Sequence, residues 1–182
     1  MKDLLKKYLF LFLVAGLIVS FDQVTKYYVR TRLAIGEIWS PWDWLTPYAR
    51  IVHWWNTGVA FGMLQGMNTI FAVLAVMVSL GIIYYFPRVP VKEPVLRIAM
   101  SMQLGGAVGN LIDRITVGHV TDFVSVGSFA VFNVADASIS VGVAILVLGV
   151  WLQERRQKKE AQRQALERSE QEVTVDDREA SG

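Results

Sequence analysis

Two aspartates, Asp122 and Asp136, flank a short, mostly apolar stretch in HVTDFVSVGSFAVFNVADASISVG (119–142), and a long apolar run follows at once. The stretch holds no Lys or Arg, so an ion pair with a sequence neighbour accounts for neither carboxylate. If Asn133 and Asp136 open a helix or its lead-in turn, they project from one face and Asp122 can fold back beside them. Two carboxylates held close do not both ionise easily, so one pKa rises and the other falls. Such a pair can hold a water: the ionised member takes its proton as it attacks a carbonyl, and the protonated member donates to the carbonyl oxygen. That is aspartyl proteolysis. A chain with no Cys, no HExxH and no evident Ser-Lys or Ser-His pairing has few other ways to hydrolyse a peptide bond. The competing reading makes Asp136 a helix N-cap.

Other polar residues fall at the same depth of the apolar runs. Asp22 and Lys26 are four apart and share a helix face, as an ion pair would. Asn110, Asp113 and Arg114 also share a face; Asp113 with Arg114 reads as a charge pair bracing a loop. Gly105 and Gly109 have the small-xxx-small spacing of close helix contact. Asn56 stands in the long loop before the second apolar run, and Asn133 precedes the fourth. His53 and His119 are isolated and show no metal-ligand spacing, so no metal is expected. Ionisable groups near hydrocarbon usually face a bundle interior or cavity. A proton-relay transporter is the rival from another class, but it predicts carboxylates spread through the membrane depth, and these collect at one end.

The elements that must position these groups are membrane spans. The chain has 182 residues, 53% of them hydrophobic, a formal charge of +2 and no Cys. That excludes disulfides, a zinc-thiolate site and a thiol nucleophile, and gives no footprint for nucleic acid. Spans are expected over about 8–28, 69–86, 95–112 and 137–152, each near the length that crosses about 30 Å of hydrocarbon at about 1.5 Å per residue. The first resembles a signal peptide but has no small-x-small site, so a retained span is expected. Lys2, Lys6 and Lys7, then Arg88, Lys92 and Arg97, then Arg155, Arg156, Lys158 and Lys159 flank one side, placing both termini in the cytoplasm; Arg30, Arg32 and Arg50 oppose this. The loop 29–67, rich in Trp and Tyr and broken by Pro, alternates enough for short strands at the interface. Residues 153–182 read as a charged tail, helical at first and then disordered.

Five motifs in order resemble the bacterial lipoprotein signal peptidases, or type II signal peptidases: DQVTK (22–26), NTGVAFG (56–62), GGAVGNLIDR (105–114), VTDF (120–123) and FNVAD (132–136). The resemblance implies an all-α polytopic membrane protein with four transmembrane helices, a small outer-face β-cradle and a short interfacial helix. It implies a catalytic pair at Asp122 and Asp136, with Asp22, Lys26, Asn56, Gly58, Asn110, Asp113, Arg114 and Asn133 matching positions that support or line the site. It further implies no cofactor, a diacylglyceryl-modified prolipoprotein cut just before its lipidated cysteine, contact with membrane lipids, and a monomer in the cytoplasmic membrane with its active site near the outer face. Phe61, Trp54 and Trp55 are expected along the lipid approach. Ala130 stands where many members carry Pro.

Overall fold

The structure, a computed structural model, describes residues 2–58 and 64–180, with side chains from Asp3 to Gln164. Phe61 and most of the NTGVAFG motif lie outside the described residues. Four long helices dominate: α1 (Lys2–Arg32), α2 (Asn68–Tyr85), α3 (Pro94–Thr116) and α4 (Val134–Ala180). Four helical stretches are long and apolar enough to cross a membrane, Asp3–Arg32, Asn68–Arg88 (α2 with the 3₁₀ turn that follows it), Pro94–Thr116 and Val134–Gln164. Large apolar side chains such as Leu5, Leu9, Leu13, Leu17, Ile70, Leu80 and Val147 point outward, which is stable where the solvent is lipid. The helical backbone of α4 runs on to Ala180, where disorder was expected after a first helical stretch. Runs such as EAQRQALERSEQE consist mostly of strong helix formers.

The central helix is α3, packed against each of the other three. It begins with Pro94, which costs nothing at a first helical position, and its mean apolarity is the lowest of the four spans because its faces meet protein rather than lipid. Small residues let its neighbours approach. A Cβ at Gly106 would lie 2.4 Å from the Ala135 carbonyl oxygen, and one at Gly109 would lie 2.7 Å from Asp22 Oδ2. The expected small-xxx-small packing is therefore present, with Gly105 against Ala15 and Ile18 of α1. At the other end of the bundle Leu11, Ala15, Ile82, Phe86 and Leu104 form the apolar core.

A three-stranded antiparallel sheet, in the order β1 (Ile38–Trp39), β2 (Ala49–Asn56), β3 (Val120–Val126), covers the polar end. The first two strands, with a 3₁₀ turn at Asp43–Leu45, come from the Trp-rich loop as expected. The third was not anticipated; VTDFVSV alternates weakly, and only its pairing with β2 makes it a strand. Register sets Trp54 opposite Asp122, beyond an irregularity between Ile51 and Trp54. His53, buried in β2, ties the sheet to the end of α1 through Nδ1, 2.9 Å from the Leu33 carbonyl oxygen.

Candidate active site

Each residue of interest reaches one polar layer from a different element: Asp22 and Lys26 from α1, Asn56 from the end of β2, Asn110, Asp113 and Arg114 from the last two turns of α3, Asp122 from β3, Asn133 and Asp136 from the start of α4. Two chemically distinct sets result.

In the first set, carboxylates meet cations. Lys26 Nζ lies 2.8 Å from Asp22 Oδ2, as its four-residue spacing requires, and 3.3 Å from Asp113 Oδ2. Arg30 Nη1 lies 3.2 Å from Asp113 Oδ1. Asp22, Lys26 and Asp113 are all fully buried. The backbone N–H of Thr121 donates to Asp113 Oδ2, and that of Ala135 to Asp22 Oδ1, both at 2.9 Å. Asp22 thus satisfies an orphan donor in the first turn of α4 from across the bundle. The Gln23 amide donates to Asp22 Oδ2, Gly109 O and Asp113 Oδ1.

The expected Asp113–Arg114 pair does not form. Consecutive residues on a helix point about 100° apart, so Asp113 faces α1 while Arg114 lines a cleft with its guanidinium 5.6 Å from the Phe71 ring centre. Sequence reasoning also missed Gln23 and Arg30. Arg30 was counted as a loop cation, yet 22, 26 and 30 form one helical row, and α1 reaches Arg32.

In the second set, carboxylates meet amides. Asp122 accepts from Asn56 Nδ2 at 2.9 Å on one oxygen and from Asn133 Nδ2 at 2.7 Å on the other. Asp136 accepts from Asn110 Nδ2 at 2.7 Å and from the Asn133 backbone N–H at 3.3 Å. Neither carboxylate is within ion-pair distance of a described cation. Asp136 is not the N-cap that the competing reading proposed. α4 starts at Val134, so Asn133 caps it, accepting the Asp136 N–H at 2.9 Å while Asp136 reaches back to the Asn133 N–H. This reciprocal arrangement is a capping box, and it aims the Asp136 carboxylate at the layer between α3 and β3.

Every amide in this set is held in one orientation. Gly58 N–H donates to Asn56 Oδ1 at 2.9 Å, so the Asn56 NH₂ faces Asp122. Lys26 Nζ and Asn133 Nδ2 donate to Asn110 Oδ1 at 2.9 and 3.1 Å, so the Asn110 NH₂ faces Asp136. Lys26 therefore touches both sets. Burial, and after it the charge of nearby Asp136, pushes the Asp122 carboxyl up to about 7. Beside the pair a cleft of about 590 Å³ opens between α2, α3 and α4. Asp136, Asn110, Arg114 and Asn56 stand at its polar end, and Phe71, Leu74, Val78 and Ile139 line the rest. Among the described residues, no group of three or more His, Asp or Glu is placed to hold a metal ion.

Two buried carboxylates with amide partners thus stand beside an apolar cleft in a helical bundle. The family model described as "Signal peptidase (SPase) II" matches residues 14–152. The chain belongs to the signal peptidase II family. Lipoprotein signal peptidases of Staphylococcus aureus strains JH9 and Newman are each 33% identical to it over 152 residues, which cover 81% of this chain and 91% of theirs. A bacterial membrane enzyme solved by the in meso method at 2.3 Å resolution matches with TM-score 0.73 and 30% identity, over 79% of this chain and 88% of its own. A second bacterial membrane enzyme, solved by the same method at 1.9 Å, gives 0.69 and 31%, over 77% and 91%. As a signal peptidase II, the chain is a multi-pass bacterial membrane protein and an aspartic peptidase.

Proposed function

We propose that Asp122 and Asp136 are the catalytic pair with which this signal peptidase II removes the signal peptide of a prolipoprotein, cutting just before a diacylglyceryl-modified cysteine. The observation that carries the assignment is the contrast in partners. Asp22 and Asp113 are salt-bridged to Lys26 and Arg30, whereas among the described residues the four oxygens of Asp122 and Asp136 accept only amide N–H groups. A carboxylate locked to a cation is a poor proton carrier; one held by amides keeps both protonation states within reach.

At neutral pH the pair shares one proton, which belongs to the coupled dyad as a whole. A water between the carboxyls loses a proton to the ionised member as its oxygen attacks the scissile carbonyl. The protonated member donates to the carbonyl oxygen, giving a neutral tetrahedral diol. The diol collapses when the newly protonated carboxyl gives its proton to the departing nitrogen, and the other carboxyl takes back the diol proton. Asn133, Asn110 and Asn56 hold the carboxyls in register throughout.

The cleft supports a lipidated substrate: its apolar walls suit acyl chains or a signal helix, and its polar end meets the scissile bond at Asp136. The flanking Lys and Arg support cytoplasmic termini, which puts the pair near the outer face. One chain supplies every group described, so a monomer suffices. A proton relay finds no support: Asp22, Asp113, Asp122 and Asp136 gather at one end of the bundle instead of following its depth.

The test is cleavage of a diacylglyceryl-modified lipobox peptide by Asp122→Asn, Asp136→Asn and Asp113→Asn, each checked for folding. Both dyad variants are expected to stay folded and lose at least about three orders of magnitude in kcat. Substantial activity in either would move the assignment to Asp22 and Asp113.

A further inference from the structure

At the end of the bundle remote from the carboxylates, Arg97 lies in the first turn of α3, only 5% exposed. Its guanidinium carbon is 4.7 Å from the Phe86 ring centre and 5.2 Å from that of Phe10. Nη2 makes one long contact, 3.5 Å to the Lys7 carbonyl oxygen, and the buried Nη1 has no partner. Lys7, half-buried beside it, places Nζ 2.7 Å from the Pro87 carbonyl oxygen. Lys7 and Arg97 thus both stand at the seam between α1, α3 and the 3₁₀ turn Phe86–Arg88, and the ion pairs of Lys26 and Arg30 lie at the other end.

A buried guanidinium without an anion is costly, and here the positive end of the α3 dipole adds to the cost. Contact with two aromatic faces recovers part of it, and the adjacent end of α2 recovers more, but neither supplies an acceptor for Nη1. The missing partner is an anion with more than one oxygen, which matches the planar fork of Arg and the point charge of Lys together. The seam lies where the apolar spans end, with Lys6, Arg88 and Lys92 exposed nearby in sequence. At that level the available anion is a lipid headgroup, and basic pockets between transmembrane helices are where such groups bind.

We propose that Arg97 and Lys7 bind the phosphodiester of one anionic glycerophospholipid at this seam, with Lys7 leaving the Pro87 carbonyl to admit it. The proposal is independent of the chemistry assigned to Asp122 and Asp136. It is tested on the full chain in neutral detergent by thermal unfolding with phosphatidylglycerol, phosphatidylcholine or inorganic phosphate added, and by native mass spectrometry of retained lipid. Phosphatidylglycerol is expected to raise Tm more than phosphatidylcholine does, and Arg97→Gln to abolish that difference. Lys7→Gln is expected to weaken retention about fivefold, the value of one basic side chain near anionic lipid. If Arg97→Gln does not fold, retention by the wild type against Lys7→Gln decides. Equal effects of the two lipids, a lipid preference surviving both substitutions, or a shift reproduced by inorganic phosphate alone would overturn the proposal.

Discussion

Asp22 and Asp113 on one side of the polar layer, and Asp122 and Asp136 on the other, are the same side chain in the same bundle, a few ångströms of shared network apart. The first pair touches Lys26 and Arg30; the second touches Asn56, Asn110 and Asn133. Burial therefore does not by itself decide what a carboxylate does. On the proposed assignment, a cation partner makes it a structural tie between α1, α3 and α4, and an amide partner leaves it a proton to exchange. The link between the two is Lys26, whose ammonium neutralises Asp22 and Asp113 and also fixes the amide of Asn110 that faces Asp136.

The sharpest way to break this comparison is to make the same substitution on both sides. Asp122→Asn or Asp136→Asn should remove about 4 kcal/mol or more of transition-state stabilisation, the equivalent of a thousandfold in rate, with little loss of folded protein. Asp113→Asn should do the reverse: folded enzyme retains activity within about tenfold, but Tm falls because Lys26 and Arg30 lose a shared acceptor. Peptide cleavage and thermal unfolding on the same preparations separate the two. If Asp113→Asn costs as much rate as the dyad variants, the division between structural and chemical pairs fails.

Removing the link comes next in size. Lys26→Met leaves Asp22 and Asp113 buried without their common cation, which should destabilise by about 3–5 kcal/mol. Adding Asp22→Asn to it should recover part of the loss, since one of the two stranded charges goes with it. Denaturation in detergent reads both, and a single variant as stable as wild type would mean that the ion cluster contributes little.

A smaller effect tests how closely the helices must approach for that cluster to form. In Gly109→Ala the new methyl would lie 2.7 Å from Asp22 Oδ2 and 3.3 Å from the Ala135 Cβ, so α1 or α4 must move. Overpacking of this kind costs about 1–3 kcal/mol. Gly81→Ala, where nothing lies within 4 Å, is the control and should be neutral or slightly stabilising in a helix.

How much of this was legible in the sequence follows the same division. Local relations were: Asp22 with Lys26 by spacing, the four apolar runs, the glycines that admit α1 and α4 to α3. Relations that need three-dimensional pairing were not. The strand carrying Asp122 exists because β2 lies beside it, and no local pattern in VTDFVSV states that. Asp113 was assigned to its sequence neighbour Arg114 although the helix turns them apart, and its true partners, Lys26 and Arg30, are more than eighty residues away on α1. Asp136 was read either as a cap or as a dyad member; the structure makes Asn133 the cap and Asp136 the third residue of its box, which aims the Asp136 carboxylate. The asparagine orientations depend on Gly58 and Lys26, two elements removed from the carboxylates they serve.

The last expected effect is read against pH. In the unfolded chain Asp122 titrates near the ordinary value of 3.8, and in the folded chain burial and the charge of Asp136 raise it to about 7. Between these values the folded chain holds a proton that the unfolded chain has released, so raising the pH favours unfolding. The contribution of Asp122 to stability is therefore fully present below about pH 4 and lost progressively by about pH 7, at about 1 kcal/mol per pH unit. An Asp paired with a cation would behave in the opposite way and lose its contribution on acidification. Asp122→Asn, which cannot titrate, should flatten the fall in Tm between pH 5 and 7 in a wild-type comparison. Were the slope unchanged by the substitution, Asp122 would be ionised across that range, and the amide-held pair would be electrostatically no different from the cation-held one beside it.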